Sequence, residues 1–404
     1  MDKYFFVLGR YPSISLSEIQ AVLQKNNLNN SQIFVSPEIA VFELGKEKNL
    51  SEIIKLLGGT VKIGKILGEA LLSGNETNFS LYFEAGFLKE NLIPPKTKKL
   101  HFGISIYDGG GDKKIIKKLE NNLADFQVLI KNNLKTIGLK SGFLRIKDRN
   151  ISSVAVEKNH LLDKGFELVL IATKEKIMIG KTVAVQDFSS FAARDMERPR
   201  KDKRSGILPI KLARMMVNMA VTSDTQTILD PFCGSGTILL EGALMGIKNL
   251  LGADIDQKAI AYTKQNLEWL FEKYNLDGRK YKIKLLRTDI HILDKSLKIN
   301  SIDAIVTEPY LGPPQFRPPM ASEAERIISD LTLLYKRSLS VLSNLLKING
   351  KLVIIFPFIQ TQFKNYYIDG KIIEHGKFKM KQEPLMYSSP GQFVGRQIYC
   401  LEKI

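Results

Sequence analysis

The chain has 404 residues, room for roughly two to four domains, and its 44% hydrophobic and 25% charged residues are those of a folded globular protein. It carries 59 Lys and Arg against 42 Asp and Glu, a net charge of +17, which points to a polyanionic partner such as nucleic acid, with plain solubility charge as the alternative. Two cysteines (Cys233, Cys400) and four scattered histidines (His101, His160, His291, His375) exclude a disulfide scaffold and argue against a metal centre, and no apolar run is long enough for a leader or a membrane span. The expected setting is therefore a reducing cytoplasm.

The first 90 or so residues alternate strand-like and helix-like patterns. Tyr4 to Leu8 reads as a strand, and Ser15-Leu16-Ser17-Glu18 as a capping box opening a helix to Lys25. Gln32–Val35 and Ala40–Leu44 flank a turn at Ser36-Pro37 and predict a hairpin. A helix over Ser51–Leu57, closed by Gly58-Gly59, precedes a strand over Val61–Leu67. The order β-α-β-β-α-β is ferredoxin-like, a fold that by itself names no activity.

His101 to Tyr107 then alternates as a strand, followed by a helix from Lys113 to about Asn132. Phe143–Ile146, Val154–Val156 and Phe166–Ala172 are strand candidates. Between Lys113 and Arg149 stand ten basic residues against three acids. A solvated helix face explains that run, and so does a phosphate-binding surface using Lys113, Lys114, Lys117, Lys118, Lys140, Arg145, Lys147 and Arg149. Residues 193–205 are charge-dense, without helical or strand period, and read as a linker in which Arg198 and Arg200 add to the basic surface. A helix from Pro209 to about Ala220 follows.

From Thr225 the rhythm becomes β-α-β-α. Strands are expected at Thr227–Leu229, Leu250–Ala253, Lys282–Leu286, Ala304–Thr307 and Leu352–Phe356, with helices at Thr237–Met245, Gln257–Phe271 and about Ala321–Leu346. Such alternation predicts a parallel, doubly wound sheet.

Two motifs sit at strand ends in that sheet. The first is Asp230-Pro231-Phe232-Cys233-Gly234-Ser235-Gly236-Thr237. Gly234 and Gly236 allow close backbone approach to a ligand. The loop lacks a P-loop lysine and presents an acid, so a pyrophosphate is a poor guest. S-adenosylmethionine, which carries a sulfonium and an ammonium, suits it better; a plain tight turn is the alternative. Asp254 after the second strand can accept from ribose hydroxyls, whereas Asp256 reads as a helix N-cap. Asp289 after the third strand can accept from an adenine amine or cap its loop. Asp230, Gly234, Gly236, Asp254 and Asp289, with their neighbours Phe232, Cys233, Thr237 and Ile255, form the candidate cofactor site, with Cys233 read as a small packing residue rather than a nucleophile.

The second motif, Thr307-Glu308-Pro309-Tyr310-Leu311-Gly312-Pro313-Pro314, follows the fourth strand. An acid or backbone carbonyl there can accept from an exocyclic amine, shifting its nitrogen toward tetrahedral geometry. Tyr310 can stack on a flipped-out base. Thr307, Glu308, Pro309 and Tyr310 are therefore the candidate catalytic residues, and a Pro-rich structural loop is the alternative.

These motifs, together with Gly180-Lys181-Thr182-Val183-Ala184-Val185-Gln186-Asp187, Arg194-Asp195, Arg198-Pro199 and Gly206 to Arg214, resemble the THUMP-domain tRNA guanine-N2-methyltransferases over nearly the whole chain. The resemblance implies a ferredoxin-like domain (1–90), a THUMP RNA-binding domain (91–180) that grips tRNA, a linker (181–205) and a Rossmann-like class I methyltransferase domain (206–404). It implies methyl transfer from S-adenosylmethionine to guanine N2, at tRNA position 10, and some members of the family need a small activating subunit. The family's usual Asp-Pro-Pro-Tyr is here Thr-Glu-Pro-Tyr. Matching the tyrosines puts Thr307 at the Asp position; matching the acids puts Glu308 there. Another tRNA or rRNA guanine, a DNA adenine, and a non-catalytic RNA-binding role are the rival readings.

Overall fold

The computed structural model describes residues 2–28, 30–45, 49–72, 79–146, 148–201 and 207–404. Lys147, residues 202–205 of the expected linker and Gly206 lie outside the described residues. Apart from the helix end Gln20–Lys25, one compact unit takes the chain to Phe188 and a second takes it from Ser189 to Ile404.

The first unit runs β1 (Asp2–Leu8), α1 (Pro12–Lys25), β2 (Asn30–Val35), β3 (Ile39–Leu44), α2 (Leu50–Leu56), β4 (Thr60–Leu71), α3 (Ala85–Asn91), β5 (Lys99–Asp108), α4 (Lys113–Asn121), α5 (Leu123–Thr136), β6 (Lys140–Phe143), α6 (Ser153–Lys158), β7 (Phe166–Ala172) and β8 (Lys176–Val185). Its sheet has the order β2-β3-β1-β4-β8-β7-β5-β6. The first four strands have the ferredoxin-like arrangement. Residues 1–90 and 91–180, expected as separate domains, share this one sheet, because β4 pairs with β8 from Lys62↔Val185 to Leu71↔Lys176. A buried polar cluster ties the join. Lys62 Nζ donates to Glu167 Oε1 at 2.5 Å and to the Ile151 carbonyl at 2.6 Å. Ser105 and Thr182 donate to the two Glu167 oxygens. Every buried charge there has a partner, as the low dielectric demands.

Several local expectations change. Helix α1 starts at Pro12, and Ser15 and Glu18 do not form a capping box. Instead Glu18 reaches across to accept from the Gly58 and Gly59 amides at 2.7 and 2.8 Å. Val154–Val156 is helical, because Ser152 Oγ accepts from Ala155 N and starts α6. The single helix expected over Lys113–Asn132 is two, α4 and α5, divided at Asn122. The strand expected at Phe143–Ile146 lies earlier, at Lys140–Phe143, where it pairs with β5.

The second unit runs α7 (Phe188–Met196), α8 (Ile210–Ala220), β9 (Thr227–Asp230), α9 (Thr237–Leu244), β10 (Asn249–Asp254), α10 (Gln257–Lys273), β11 (Lys282–Arg287), α11 (Leu293–Ser296), β12 (Ile302–Thr307), α12 (Ala321–Leu345), β13 (Leu346–Gln360), β14 (Asn365–Tyr367), α13 (Ile372–His375), β15 (Phe378–Met380), β16 (Leu385–Tyr387) and β17 (Val394–Lys403). The sheet order is β11-β10-β9-β12-β13-β17-β15. Strands β9 to β13 are parallel, and β17 is antiparallel to β13. The chain reverses direction of travel between β9 and β12, so their carboxyl ends open a crevice there. Helix α12 lays Ile327, Leu331, Tyr335, Leu339 and Leu342 on the sheet, a helical spacing that faces one side inward.

Residues 181–196, expected as part of the linker, are instead mostly regular structure. Lys181–Val185 finish β8, and Phe188–Met196 form α7. The Arg residues of this stretch explain why. Arg194 Nε donates to Glu241 Oε1 at 2.7 Å, and Arg214 Nε to Glu241 Oε2 at 2.6 Å. Glu241 is buried within α9, so α7, α8 and α9 share one buried carboxylate.

Candidate functional site

Strand β9 ends at Asp230, and the chain turns at Phe232–Gly236 into α9. Gly236 is the residue before α9 and has φ +86°. A Cβ there would approach Thr263 Cγ2 to 2.9 Å, so the position requires glycine on both counts. Gly234 also has positive φ, +51°, and its amide donates to Asp254 Oδ2 at 2.9 Å. The other Asp254 oxygen accepts from Asp256 N. Asp256 in turn accepts from Lys258 N and caps α10, as its place in the sequence suggests. The loop after β9 is thus clamped to the end of β10 by one carboxylate.

Asp230 is 2% exposed. Thr307 Oγ1 donates to its Oδ1 at 2.8 Å and Phe232 N at 3.2 Å. Burial pushes its carboxyl up to about 7, against those two hydrogen bonds and with further push from Asp254 and Glu308. No cation faces it among the described residues. A buried acid in that state is suited to a ligand that brings a positive charge. Asp289 differs. Its Oδ1 accepts from His291 N at 2.9 Å and pairs with His291 Nδ1 at 2.7 Å. These contacts hold its carboxyl below the usual range, so it caps its loop and still faces the crevice.

The crevice is a cavity of about 470 Å³, within the range of about 300–1,000 Å³ usual for small-molecule sites. Asp230, Phe232, Cys233, Gly234, Thr237, Asp254, Ile255 and Asp289 line it, as do Glu308, Pro309 and Tyr310. Both motifs therefore meet at one place. Gly236 and Thr307 do not line it. Gly236 shapes the turn, and the fully buried Thr307 spends its hydroxyl on Asp230, so it is a support for the acid and not a group facing substrate. Of the two alignments of Thr-Glu-Pro-Tyr, only Glu308 offers a side-chain acid to the cavity. Burial, with Asp230 and Asp254 nearby, pushes the Cys233 thiol well up, and Cys400 is pushed up to about 11 by burial. Neither is a thiolate nucleophile.

Tyr310 is 54% exposed at the mouth. Its carbonyl accepts from the buried Tyr335 hydroxyl at 3.2 Å, which anchors the loop to α12. Three contributors escaped sequence reasoning. Tyr262 of α10 and His291 line the cavity, and Arg396 of β17 donates Nε to Glu308 Oε1 at 2.5 Å. Helical spacing from the Asp256 cap could have found Tyr262. Nothing local points from Glu308 to a residue 88 positions on.

The basic residues divide. Lys113, Lys114, Lys117, Lys118, Lys140 and Arg145 are exposed. Arg149 is half-buried and paired with Glu38. Arg198 is 3% exposed, with Nη1 donating to Thr237 Oγ1 at 2.7 Å, and so is not a surface phosphate contact. Arg200 is exposed, its Nε on Gln265 and its guanidinium over Tyr262.

The chain is also similar to known methyltransferases. The family model described as RMKL-like, methyltransferase domain matches residues 198–367, and one described as DNA methylase matches 112–265. The chain is 36% identical over 159 residues to the tRNA (guanine(10)-N2)-dimethyltransferase of Methanocaldococcus jannaschii, covering 39% of this chain and 40% of that protein. It is 33% identical over 174 residues to that of Methanothermobacter thermautotrophicus, covering 42% and 47%. These matches span less than half the length of either relative. The enzyme of Pyrococcus abyssi aligns at 27% identity over 88% of both chains. Among solved structures, TrmN from Thermus thermophilus superposes over the full length of both chains at 15% identity with a TM-score of 0.56. A second, SMU.472, solved complexed with SAH, covers 100% of this chain and 99% of its own at 14% identity with a TM-score of 0.50. At such identities the likeness is one of fold. Residues 198–367 are therefore similar to the RMKL-like methyltransferase domain, in a chain that aligns over most of its length with a tRNA (guanine(10)-N2)-dimethyltransferase.

Proposed function

We propose that the protein is an S-adenosylmethionine-dependent tRNA methyltransferase that methylates the exocyclic N2 of a guanosine, at position 10. The observation that carries this is the meeting of Asp230, Asp254 and Asp289 with Glu308 and Tyr310 around one cavity. The named activity of the three archaeal relatives supports the substrate. The donor set fits the cofactor: a buried acid that calls for a cation, a strand-end carboxylate for ribose hydroxyls, and an acceptor at the third strand for an adenine amine. When bound, the cofactor supplies an electrophilic methyl group.

The remaining work falls to this chain's residues. Asp230 holds the cationic end, and Gly234 and Gly236 keep the backbone close. Phe232, Cys233, Thr237 and Ile255 wall the cavity. Tyr310, exposed at the mouth, stacks on a guanine turned out of its helix. Glu308 accepts from the N2 amine, and the Pro309 carbonyl offers a second acceptor. Both draw the lone pair out of ring conjugation and stabilise charge developing on nitrogen. Rate comes from positioning and electrostatics, with no covalent enzyme intermediate. The exposed lysines of α4, with Lys140 and Arg145, contact phosphates away from the reacting base. Residues 91–180 act as the THUMP domain and the chain works in the cytoplasm.

Nucleoside mapping by mass spectrometry of tRNA from cells with and without the protein tests this. N2-methylated guanosine should vanish from position 10 on deletion. Unchanged tRNA, with methyl missing instead from DNA adenine or rRNA, would overturn it.

A further inference from the structure

Glu308 is the acid that the proposed reaction asks for, yet it stands on the strand end of β12 without any neighbour in sequence to orient it. Its orientation comes from the far end of the chain. Strand β17 is antiparallel to β13, with Arg396 opposite Pro357, and β13 is parallel to β12. This register brings Arg396 to the carboxyl edge of the sheet, where its Nε donates to Glu308 Oε1 at 2.5 Å. The side chains are 11% and 13% exposed, so water does little to screen the pair. The guanidinium also lies 5.9 Å from the Tyr387 ring centroid, on β16. Glu308 lines the cavity and Arg396 does not.

We infer that Arg396 is a positioning residue for Glu308: it holds one carboxylate oxygen at the back of the site and leaves the other for the amine of the target base. This rests on the reading of Glu308 as the amine acceptor. A glutamate has three side-chain torsions, one more than an aspartate, and each free rotamer that points elsewhere removes acceptor from the reacting nitrogen. The planar fork of an arginine fixes carboxylate orientation; a lysine supplies charge without that geometry. Strand β17, which carries Arg396, therefore belongs to the reacting end of the site although it touches neither cofactor nor base.

The test is a double-mutant cycle in the full-length protein with unmodified tRNA transcript, read as single-turnover rate and cofactor affinity. Arg396→Met should lower the rate by on the order of 100-fold with cofactor affinity kept within about twofold. Arg396→Lys should recover part of the rate, and free guanidinium ion should partly rescue Arg396→Ala. Combining Arg396→Met with Glu308→Gln should cost no more than Glu308→Gln alone, because Arg396 acts only through that acid. The double variant also removes the buried unpaired charge, which controls for misfolding. Multiplicative losses, or a fall in cofactor affinity equal to the fall in rate, would overturn the inference. A wild-type protein that methylates no guanine, or a Glu308→Gln enzyme at full rate, would instead defeat the reading of Glu308 beneath it.

Discussion

Two stretches rich in Lys and Arg, Lys113–Arg149 and Arg194–Arg214, look alike in composition, yet the lysines of α4 in the first and Arg194, Arg198 and Arg214 in the second are placed in opposite ways. In the first, the lysines of α4 stand in solvent, with Ile116 and Leu119 turned to the core. In the second, Arg194 and Arg214 are buried on Glu241, and Arg198 is buried on Thr237. A charge surplus therefore does not count phosphate contacts. Lysines spaced with apolar residues at helical period form a wet face, whereas arginines whose forks meet a buried acid are internal struts. The overall +17 is partly architecture, and the surface available to RNA is correspondingly smaller than composition suggests.

Breaking the buried stretch should have the largest effect. Glu241→Ala leaves two guanidiniums buried without their acid, at a cost of about 3–5 kcal/mol. Denaturant unfolding should show that loss, and a change below about 1 kcal/mol would mean the struts are solvated. Asp230 is the converse, a buried acid that awaits its cation. Its carboxyl, near 7 in the fold and near about 4 when unfolded, takes up a proton more readily folded than unfolded. Free protein should thus lose stability as pH rises from about 4 through about 7, by on the order of a few kcal/mol. Asp230→Asn should abolish that slope and raise the melting temperature at alkaline pH while losing cofactor binding. In the wild type, cofactor affinity should rise with pH through about 7 and then level, since binding needs the ionised acid. Calorimetry across that range checks both signs.

The exposed stretch should respond in the opposite sense. Replacing Lys113, Lys114, Lys117 and Lys118 together by Gln should leave stability within about 0.5 kcal/mol. tRNA affinity should fall, and the salt slope should drop by about 0.9 for each phosphate of paired RNA that a lysine no longer neutralises. Arg198→Met should move least on that axis: an unchanged salt slope, with any loss confined to cofactor affinity through Thr237. If Arg198→Met flattened the salt dependence as the lysine variant does, the contrast between the two stretches would fail.

What the sequence could show follows from the range of the interactions. Asp230 and Asp254 each close a short strand and Asp289 follows the next one, so their order along the sheet was readable locally. The β-α-β-β-α-β pattern was readable for the same reason. Glu18, in a Ser-Leu-Ser-Glu string, looked like half of a cap. Its true partners, the Gly58 and Gly59 amides, are some 40 residues away. Arg194 and Arg198 looked like linker charge because their partners, Glu241 and Thr237, lie some 40 residues on within α9 and give no sign in sequence that they bind them. The Arg396–Glu308 pair depends on the register of β17 on β13, which only the folded sheet defines.

The central claim is methyl transfer to guanine N2 of tRNA at the Glu308–Tyr310 edge of the cavity. Its most direct measurement is incubation of the purified protein with deuteromethyl-labelled S-adenosylmethionine and unmodified tRNA transcript, followed by nuclease digestion and mass spectrometry. The account predicts label on N2 of one guanosine, and a rate lowered by on the order of 100-fold in Glu308→Gln with cofactor affinity unchanged. Label on any other nucleobase, or equal rates for wild type and Glu308→Gln, would contradict it.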